Sequence, residues 1–284
     1  MYILLNNKTF CIDGQEVTGR SGRTYEIGDK IGKGGNSSVY ECIDQGGDVL
    51  AIKILARNSN KSEKRFLQEI SLLRRLNHPH IIRYVDEGTV GVLDDEAPER
   101  KHWVPFVVME KADSNLRDYL KRNHSVPYII YSSQFRGLCE ALLETHKYAI
   151  HRDIKPENIL IRGETWVLSD FGLCEFLNID EHEDITGDNE KVGPIYWMSP
   201  EAVDKYYFSN NEIGTYSDVY QIGMIFAFVL LGHYPGGIID EEAFEKAPRT
   251  LISTIIQALN NDKSRRPQNG AELLDLINKS TIDR

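Results

Sequence analysis

Between two apolar segments the chain reads Ile150-His151-Arg152-Asp153-Ile154-Lys155-Pro156-Glu157-Asn158-Ile159-Leu160. Asp153, Lys155 and Asn158 fall within six residues, so one loop can offer a base, a cation and a carboxamide oxygen able to ligate a metal. Leu168-Ser169-Asp170-Phe171-Gly172 adds a second carboxylate just past a short apolar run. Lys53 ends the apolar run Leu50-Ala51-Ile52-Lys53, where an unpaired ammonium would be costly to bury. Glu69, sixteen residues on, can answer that charge, either as a structural ion pair or as the support of a working lysine. In Ile31-Gly32-Lys33-Gly34-Gly35-Asn36-Ser37-Ser38-Val39, Gly32 and Gly34 lack Cβ, so backbone amides can approach phosphate oxygens. The same stretch would also serve an ordinary hairpin. The strand that follows it argues against a P-loop or a dinucleotide fold, which need a helix there.

These residues must be positioned by two kinds of structure. From Tyr25 to about Met109 the pattern is mostly strand, with Tyr25–Ile31, Val39–Ile43 and Val49–Leu55 rich in β-branched and aromatic residues. One helix interrupts it, marked by Phe66, Ile70, Leu73 and Leu76 and stopped by Asn77-His78-Pro79. Strands at Ile81–Tyr84 and Val104–Met109 are expected on either side of a polar loop from Leu93 to His102. Beyond Asp113 the character is helical. Ile130, Phe135, Leu138, Leu142 and Thr145 mark a long amphipathic helix, Ser217 to Leu231 an apolar one, and Thr250–Leu259 and Ala271–Lys279 two more. Short strands are expected around Ile159–Ile161 and Trp166–Leu168. The change of character implies two lobes, with a hinge at 110–113. Before them, residues 1–24 form an extension in which Thr9–Ile12 and Gln15–Val17, joined by Asp13-Gly14, can form a hairpin.

In this order the motifs resemble the eukaryotic-type protein kinase family over roughly residues 25–279. The family carries the same glycine loop, lysine strand and partner glutamate. Met198-Ser199-Pro200-Glu201 stands where it has Ala-Pro-Glu, Asp218 and Gly223 fit its central helix, and Arg266 its late arginine, partner of Glu201. The resemblance implies an α+β, two-lobed protein kinase fold: a β-rich N-lobe at 25–109 with one main helix, an α-helical C-lobe at 114–279, and a tail at 280–284. It implies ATP and Mg²⁺, with Mn²⁺ possible, as cofactors. Lys53, held by Glu69, would contact the α- and β-phosphates beneath Ile31, Gly32 and Gly34. Val39, Ala51 and Leu160 would sandwich the adenine, Met109 would be the gatekeeper, and backbone from Glu110 to Ala112 would bond its edge. Asn158 and Asp170 would hold the metal, Asp153 would take or orient the substrate hydroxyl proton, and Lys155 would neutralise the transferred phosphoryl. Tyr84, Leu73, His151 and Phe171 would stack as a hydrophobic column.

Lys155 points to serine/threonine transfer onto protein substrates, with autophosphorylation. Pro194, where threonine is usual, leaves dual or tyrosine specificity as the alternative, and a nucleotide-binding scaffold without turnover stands further off. Small-molecule kinases generally lack the Ser199-Pro200-Glu201, Asp218 and Arg266 platform. Arg152 implies a basic pocket for a loop phosphate. Thr186 is one candidate phosphosite; Glu190, eleven residues before Glu201, is a carboxylate that would mimic the phosphate.

The bulk composition sets outer bounds. The 284 residues carry a formal net charge of −10, which argues against a general nucleic-acid-binding surface. Four cysteines, Cys11, Cys42, Cys139 and Cys174, form neither a zinc motif nor a disulfide framework, which suits a reducing, cytoplasmic setting. The start shows no basic leader, and the longest apolar run, Ile222 to Leu231, spans ten residues against the roughly 18 needed to cross a membrane. No membrane association and no domain after the helical region are expected. The oligomeric state is open.

Overall fold

Alternating apolar residues and glycine-bearing turns build an eight-stranded antiparallel sheet in the first part of the chain. The structure is a computed structural model that describes residues 2–282 apart from 6–7, 13, 58, 95–96, 179–194, 209–211, 238, 240 and 245–246. It divides into one unit of residues 1–75 and 82–112 and a second of residues 76–81 and 113–284. The first unit contains β1 (Tyr2–Leu5), β2 (Lys8–Ile12), β3 (Glu16–Thr18), β4 (Thr24–Lys33), β5 (Ser37–Asp44), β6 (Val49–Leu55), β7 (Tyr84–Asp94) and β8 (Ala97–Glu110). Their order across the sheet is β1-β2-β7-β8-β6-β5-β4-β3. The fold class is the expected one, with a strand-rich first unit bearing one helix and a helical second unit.

The N-terminal segment departs from the expected hairpin. β2 pairs with β1 and β7, whereas β3 pairs with β4 at the opposite edge. Only residues 13–15 join them, so the sheet curls until its two ends approach, as its inherent twist allows. A buried carboxylate fixes this arrangement. Asp86 accepts from the Tyr25 hydroxyl at 3.0 Å, the Ser21 hydroxyl at 2.5 Å and the Ser21 and Glu87 amides at 3.2 and 2.9 Å. Gly19 lies so close that a Cβ there would sit 2.0 Å from Asp86 Oδ2. Burial, then the Asp86 hydrogen bond, pushes the Tyr25 phenol up to about 12.

Three further expectations need correction. The stretch from Leu93 to His102 is no polar loop but the end of β7 and the start of β8, whose backbones pair with each other while β7 also pairs with β2. Backbone pairing on both sides of β7 outweighs a polar composition there. Ile81–Tyr84 is not a strand; Ile81 makes a single parallel bridge to Leu168, and β7 begins at Tyr84. The helix α1 (Asn60–Leu73) stops three residues before Leu76, which belongs to the second unit. Ser59 caps its start by accepting from the Ser62 amide at 3.1 Å.

The second unit contains β9 (Ser114–Asn115), α2 (Leu116–Arg122), α3 (Tyr128–Thr145), β10 (Ala149–Ile150), β11 (Ile159–Arg162), β12 (Thr165–Leu168), β13 (Glu175–Phe176), α4 (Pro200–Phe208), α5 (Thr215–Leu231), α6 (Arg249–Ala258) and α7 (Gly270–Ile282). The apolar run proves to be α5, buried around most of its girth, with Phe226 stacked on Phe135 of α3 at 3.8 Å between centroids. Side chains of this size contribute about 1.5–3 kcal/mol each when fully buried, so α5 is the scaffold on which the loops rest. Gly232, with φ 70°, ends it in a left-handed cap. Among the described residues no helix is long and apolar enough to cross a membrane. All four cysteines are free.

Candidate active site

The two short antiparallel ribbons of the second unit hold the polar loops. β10 pairs with β13, and β11 pairs with β12 and β9. The loop of His151, Arg152 and Asp153 leaves β10, and Asp170 leaves β12. Both loops need unusual backbone: Arg152 (φ 70°) and Asp170 (φ 60°) are the two non-glycine residues with left-handed φ among those described. Such conformations persist only where surroundings hold them.

Asp218, fully buried at the start of α5, holds the first of these loops. Its carboxylate accepts from the His151 amide at 2.7 Å, the Arg152 amide at 2.8 Å and the His146 ring at 3.0 Å. The Gly270 amide donates to the other His146 nitrogen, so Nε2 is the one that carries the proton toward Asp218. Gln221, one turn along α5, accepts from the Ile154 amide at 3.1 Å and donates to the Arg152 and Trp197 carbonyls, each at 3.2 Å. Sequence reasoning missed Gln221 and His146. Asp218 and Gln221, spaced i and i+3, were their only signal, because a polar pair on an otherwise apolar helix needs buried partners.

Asp153 sits at the centre, 4% exposed. Its Oδ2 accepts from Lys155 at 2.8 Å and from Asn158 Nδ2 at 2.9 Å, and Asn158 Nδ2 also donates to the Asp153 carbonyl at 2.8 Å. The other oxygen, Oδ1, is buried without a hydrogen-bond partner. Burial raises the Asp153 pKa, and Lys155 pulls it back. His151 is fully buried against Phe171, with ring centroids 4.7 Å apart. The Asp153 amide donates to its Nδ1, so its Nε2–H donates to the Ser169 carbonyl. Burial lowers its pKa, consistent with this neutral ring. The arrangement suits a hard divalent cation: Asn158 turns its NH₂ on Asp153, which keeps its amide oxygen off that carboxylate, and Asp170 adds a second oxygen donor from the neighbouring loop.

In the first unit Lys53 and Glu69 meet at 2.6 Å with side chains 9% and 3% exposed, and Lys53 also lies 5.9 Å from the centroid of the Phe66 ring. The glycine loop is a tight turn closed by the Gly34 amide on the Ser37 carbonyl at 2.8 Å, with Gly32 paired to Val39. Ile31 is exposed, Val39 half-buried, and Ala51 and Met109 are buried and face one another in register across β6 and β8. The Glu110 amide donates to the Arg83 carbonyl at 3.0 Å, so it is committed within the unit. Ala112 ends this unit. In the second unit Leu160 is half-buried, paired with Val167 and Asn115. Thr186, Glu190 and Pro194 lie outside the described residues.

The pair of Glu201 and Arg266 expected from the resemblance forms. Arg266 donates to both oxygens of Glu201 at 2.8 Å, and the Ser217 hydroxyl adds a bond of 2.6 Å. Burial alone would raise the Glu201 pKa, but the hydrogen bonds from Arg266 and Ser217 outweigh it and leave it lowered.

Residues 25–282 match the family model described as protein kinase domain. Among curated proteins, the chain is 27% identical over 285 residues to the probable serine/threonine-protein kinase CPE1738 of Clostridium perfringens, covering 92% of this chain and 39% of that protein. It is 29% identical over 225 residues to the probable serine/threonine-protein kinase PknB of Bifidobacterium longum, covering 77% and 31%. It is 30% identical over 212 residues to cysteine-rich receptor-like protein kinase 36 of Arabidopsis thaliana, covering 73% and 30%. The chain thus spans between 30% and 39% of the length of these relatives.

Proposed function

Because this chain belongs to the protein kinase family, we propose that it transfers the γ-phosphoryl group of ATP to serine and threonine hydroxyls of protein substrates, its own included. The observation that carries the reading is Asp153, with one carboxylate oxygen held by Lys155 and Asn158 and the other left unpartnered in a buried position. The free oxygen accepts the hydroxyl proton as the substrate oxygen bonds to the γ-phosphorus and the bond from that phosphorus to the β–γ bridging oxygen breaks, releasing ADP. Lys155 neutralises charge on the transferred group. Asn158 and Asp170 would hold Mg²⁺, which supplies charge neutralisation on the phosphate oxygens. Little covalent chemistry is asked of the protein, so the work is positioning, and the anchoring of the Asp153 loop on α5 supplies it.

In the first unit Lys53, kept extended by Glu69, takes the α- and β-phosphates, and the amides near Gly32 and Gly34 cover them. Within this unit Val39, Ala51 and Met109 contribute apolar surface for the adenine, beside Ile31. Since the Glu110 amide is committed to Arg83, its carbonyl and the Ala112 backbone are the hinge groups that read the base edge. Serine/threonine preference rests on Lys155 and is supported by the names of the bacterial relatives.

Incubating the protein with labelled ATP, Mg²⁺ and mixed protein substrates, followed by phosphoamino-acid analysis, tests the reading. Phosphoserine and phosphothreonine that vanish with Asp153→Ala are expected. Transfer no greater than that of Asp153→Ala, or transfer confined to tyrosine, would refute it.

A further inference from the structure

The helix α1 carries Glu69, which bonds Lys53 at 2.6 Å in a nearly dry setting, and a bond of that length tolerates little displacement of the helix. Phe66, Ile70, Leu72 and Leu73 form the buried apolar face of α1. Such contacts hold a helix on a sheet but give little direction along it, because apolar contact is non-directional. Direction comes from the end of the helix. Arg74, the C-cap residue of α1 five positions beyond Glu69, donates through Nε to Glu87 Oε2 at 2.8 Å and through a terminal guanidinium nitrogen to Glu87 Oε1. A two-bond grip of this kind fixes orientation as well as distance. Glu87 lies on β7 with its side chain 12% exposed and is itself held through its backbone. Its amide donates to Asp86 Oδ1 at 2.9 Å, its carbonyl accepts from the Arg20 amide at 2.6 Å, and the Arg20 guanidinium reaches Oε1 at 3.4 Å. At the next residue, Gly88, a Cβ would lie 3.0 Å from the Thr18 carbonyl, so the N-terminal segment runs directly against β7. Thr18 and Arg20 precede the stretch that matches the kinase family, yet they pack on the residue that grips α1.

We infer that Glu87 is a positioning residue, which acts through Arg74 and α1 to hold Glu69 on Lys53. The inference rests on the kinase reading above and adds to it a residue that none of its motifs contains. Loss of the Glu87 charge would release Arg74 to water, where its side chain is already 42% exposed. The cost to folding is therefore modest, and the larger effect is a shift of α1 that lengthens the bond between Lys53 and Glu69.

The test is a double-mutant cycle on the full chain, with binding followed by a fluorescent ATP analogue and transfer followed on a generic protein substrate. Glu87→Gln, which keeps the shape and removes the charge, should lower kcat/KM for ATP about tenfold, no more than Glu69→Ala does, and leave KM for the protein substrate within about twofold. Arg74→Met should do the same. In the Glu69→Ala background either change should cost less than about twofold more, because the group it positions is already gone. A residue that merely stabilised the fold would give losses that multiply. Losses that multiply, or a wild-type kcat/KM for ATP in either folded variant, overturn the inference and leave the kinase reading intact. So does failure of both variants to unfold cooperatively, which would make the junction a folding element. If the wild type binds the nucleotide without transfer, the kinase reading falls, and the same pattern in the nucleotide affinities supports or overturns the role of Glu87. A wild type with neither binding nor transfer overturns both.

Discussion

Arg266 grips Glu201 through two parallel hydrogen bonds of 2.8 Å, although 65 residues separate them in the chain. Both side chains are buried, at 0% and 4% exposure, so neither charge has water to fall back on. Arg266→Ala should cost about 3–5 kcal/mol in urea denaturation, the range for stripping one partner from a buried pair. The pH sign follows from the lowered Glu201 pKa. Its contribution is complete above the ordinary glutamate value and is lost as pH falls through the lower folded value. Arg266→Ala should therefore flatten the acid side of the stability profile.

Asp153 and Lys155 make a prediction about rate. Burial raises the Asp153 pKa and Lys155 opposes the rise, so the acid limb of kcat/KM should lie above the usual aspartate range. Lys155→Met removes the opposing charge. Its residual activity should be lower, and its acid limb should move to higher pH. A limb that stays put or moves down would remove Asp153 as the titrating base.

On the proposed reading Asn158 would couple the metal to the base, since its NH₂ bonds both the carbonyl and the carboxylate of Asp153. Asn158→Ala should raise the Mg²⁺ concentration for half-maximal rate about tenfold or more and lower kcat as well. A variant that lost kcat but kept the wild-type Mg²⁺ titration would assign Asn158 to orienting Asp153 alone.

Lys53 and Glu69 stabilise one another in a nearly dry setting. Lys53→Met should lower kcat/KM for ATP at least about a hundredfold while the protein still unfolds cooperatively. Glu69→Gln keeps the shape and removes the charge, and its loss should be smaller.

Tyr25→Phe should destabilise the first unit by about 1–3 kcal/mol, because one of the bonds on the buried Asp86 carboxylate disappears. Ser21→Ala should act in the same direction, since Ser21 gives Asp86 its hydroxyl. Thermal unfolding of the two variants and of their combination would measure both effects. A wild-type melting profile for each would show that the N-terminal segment adds nothing here.

Much of the loop proposed to carry the chemistry was legible because its residues are close in sequence. Asp153, Lys155 and Asn158 lie so near in sequence that almost any turn brings them together, and they do meet within 2.9 Å. Elements with one strong period were equally plain: β6 spans Val49–Leu55 as read, and α5 covers the apolar run. The N-terminal strands were misread because a hairpin and a pair of strands on opposite edges share one local pattern.

By itself the sequence determined the longer helices, α1, α3, α5, α6 and α7, most of the strands, the identity of the charged residues and the order of the motifs, all of which depend on neighbours a few residues away. Tertiary structure alone decided the partners of the buried charges that no motif had paired. Arg152 meets Glu175, Asp218 collects the amides of the turn before Asp153, and Asp86 ties down the N-terminal segment. A buried charge must be compensated, but its partner is set by which strands and helices pack together, and that choice is made by the whole chain.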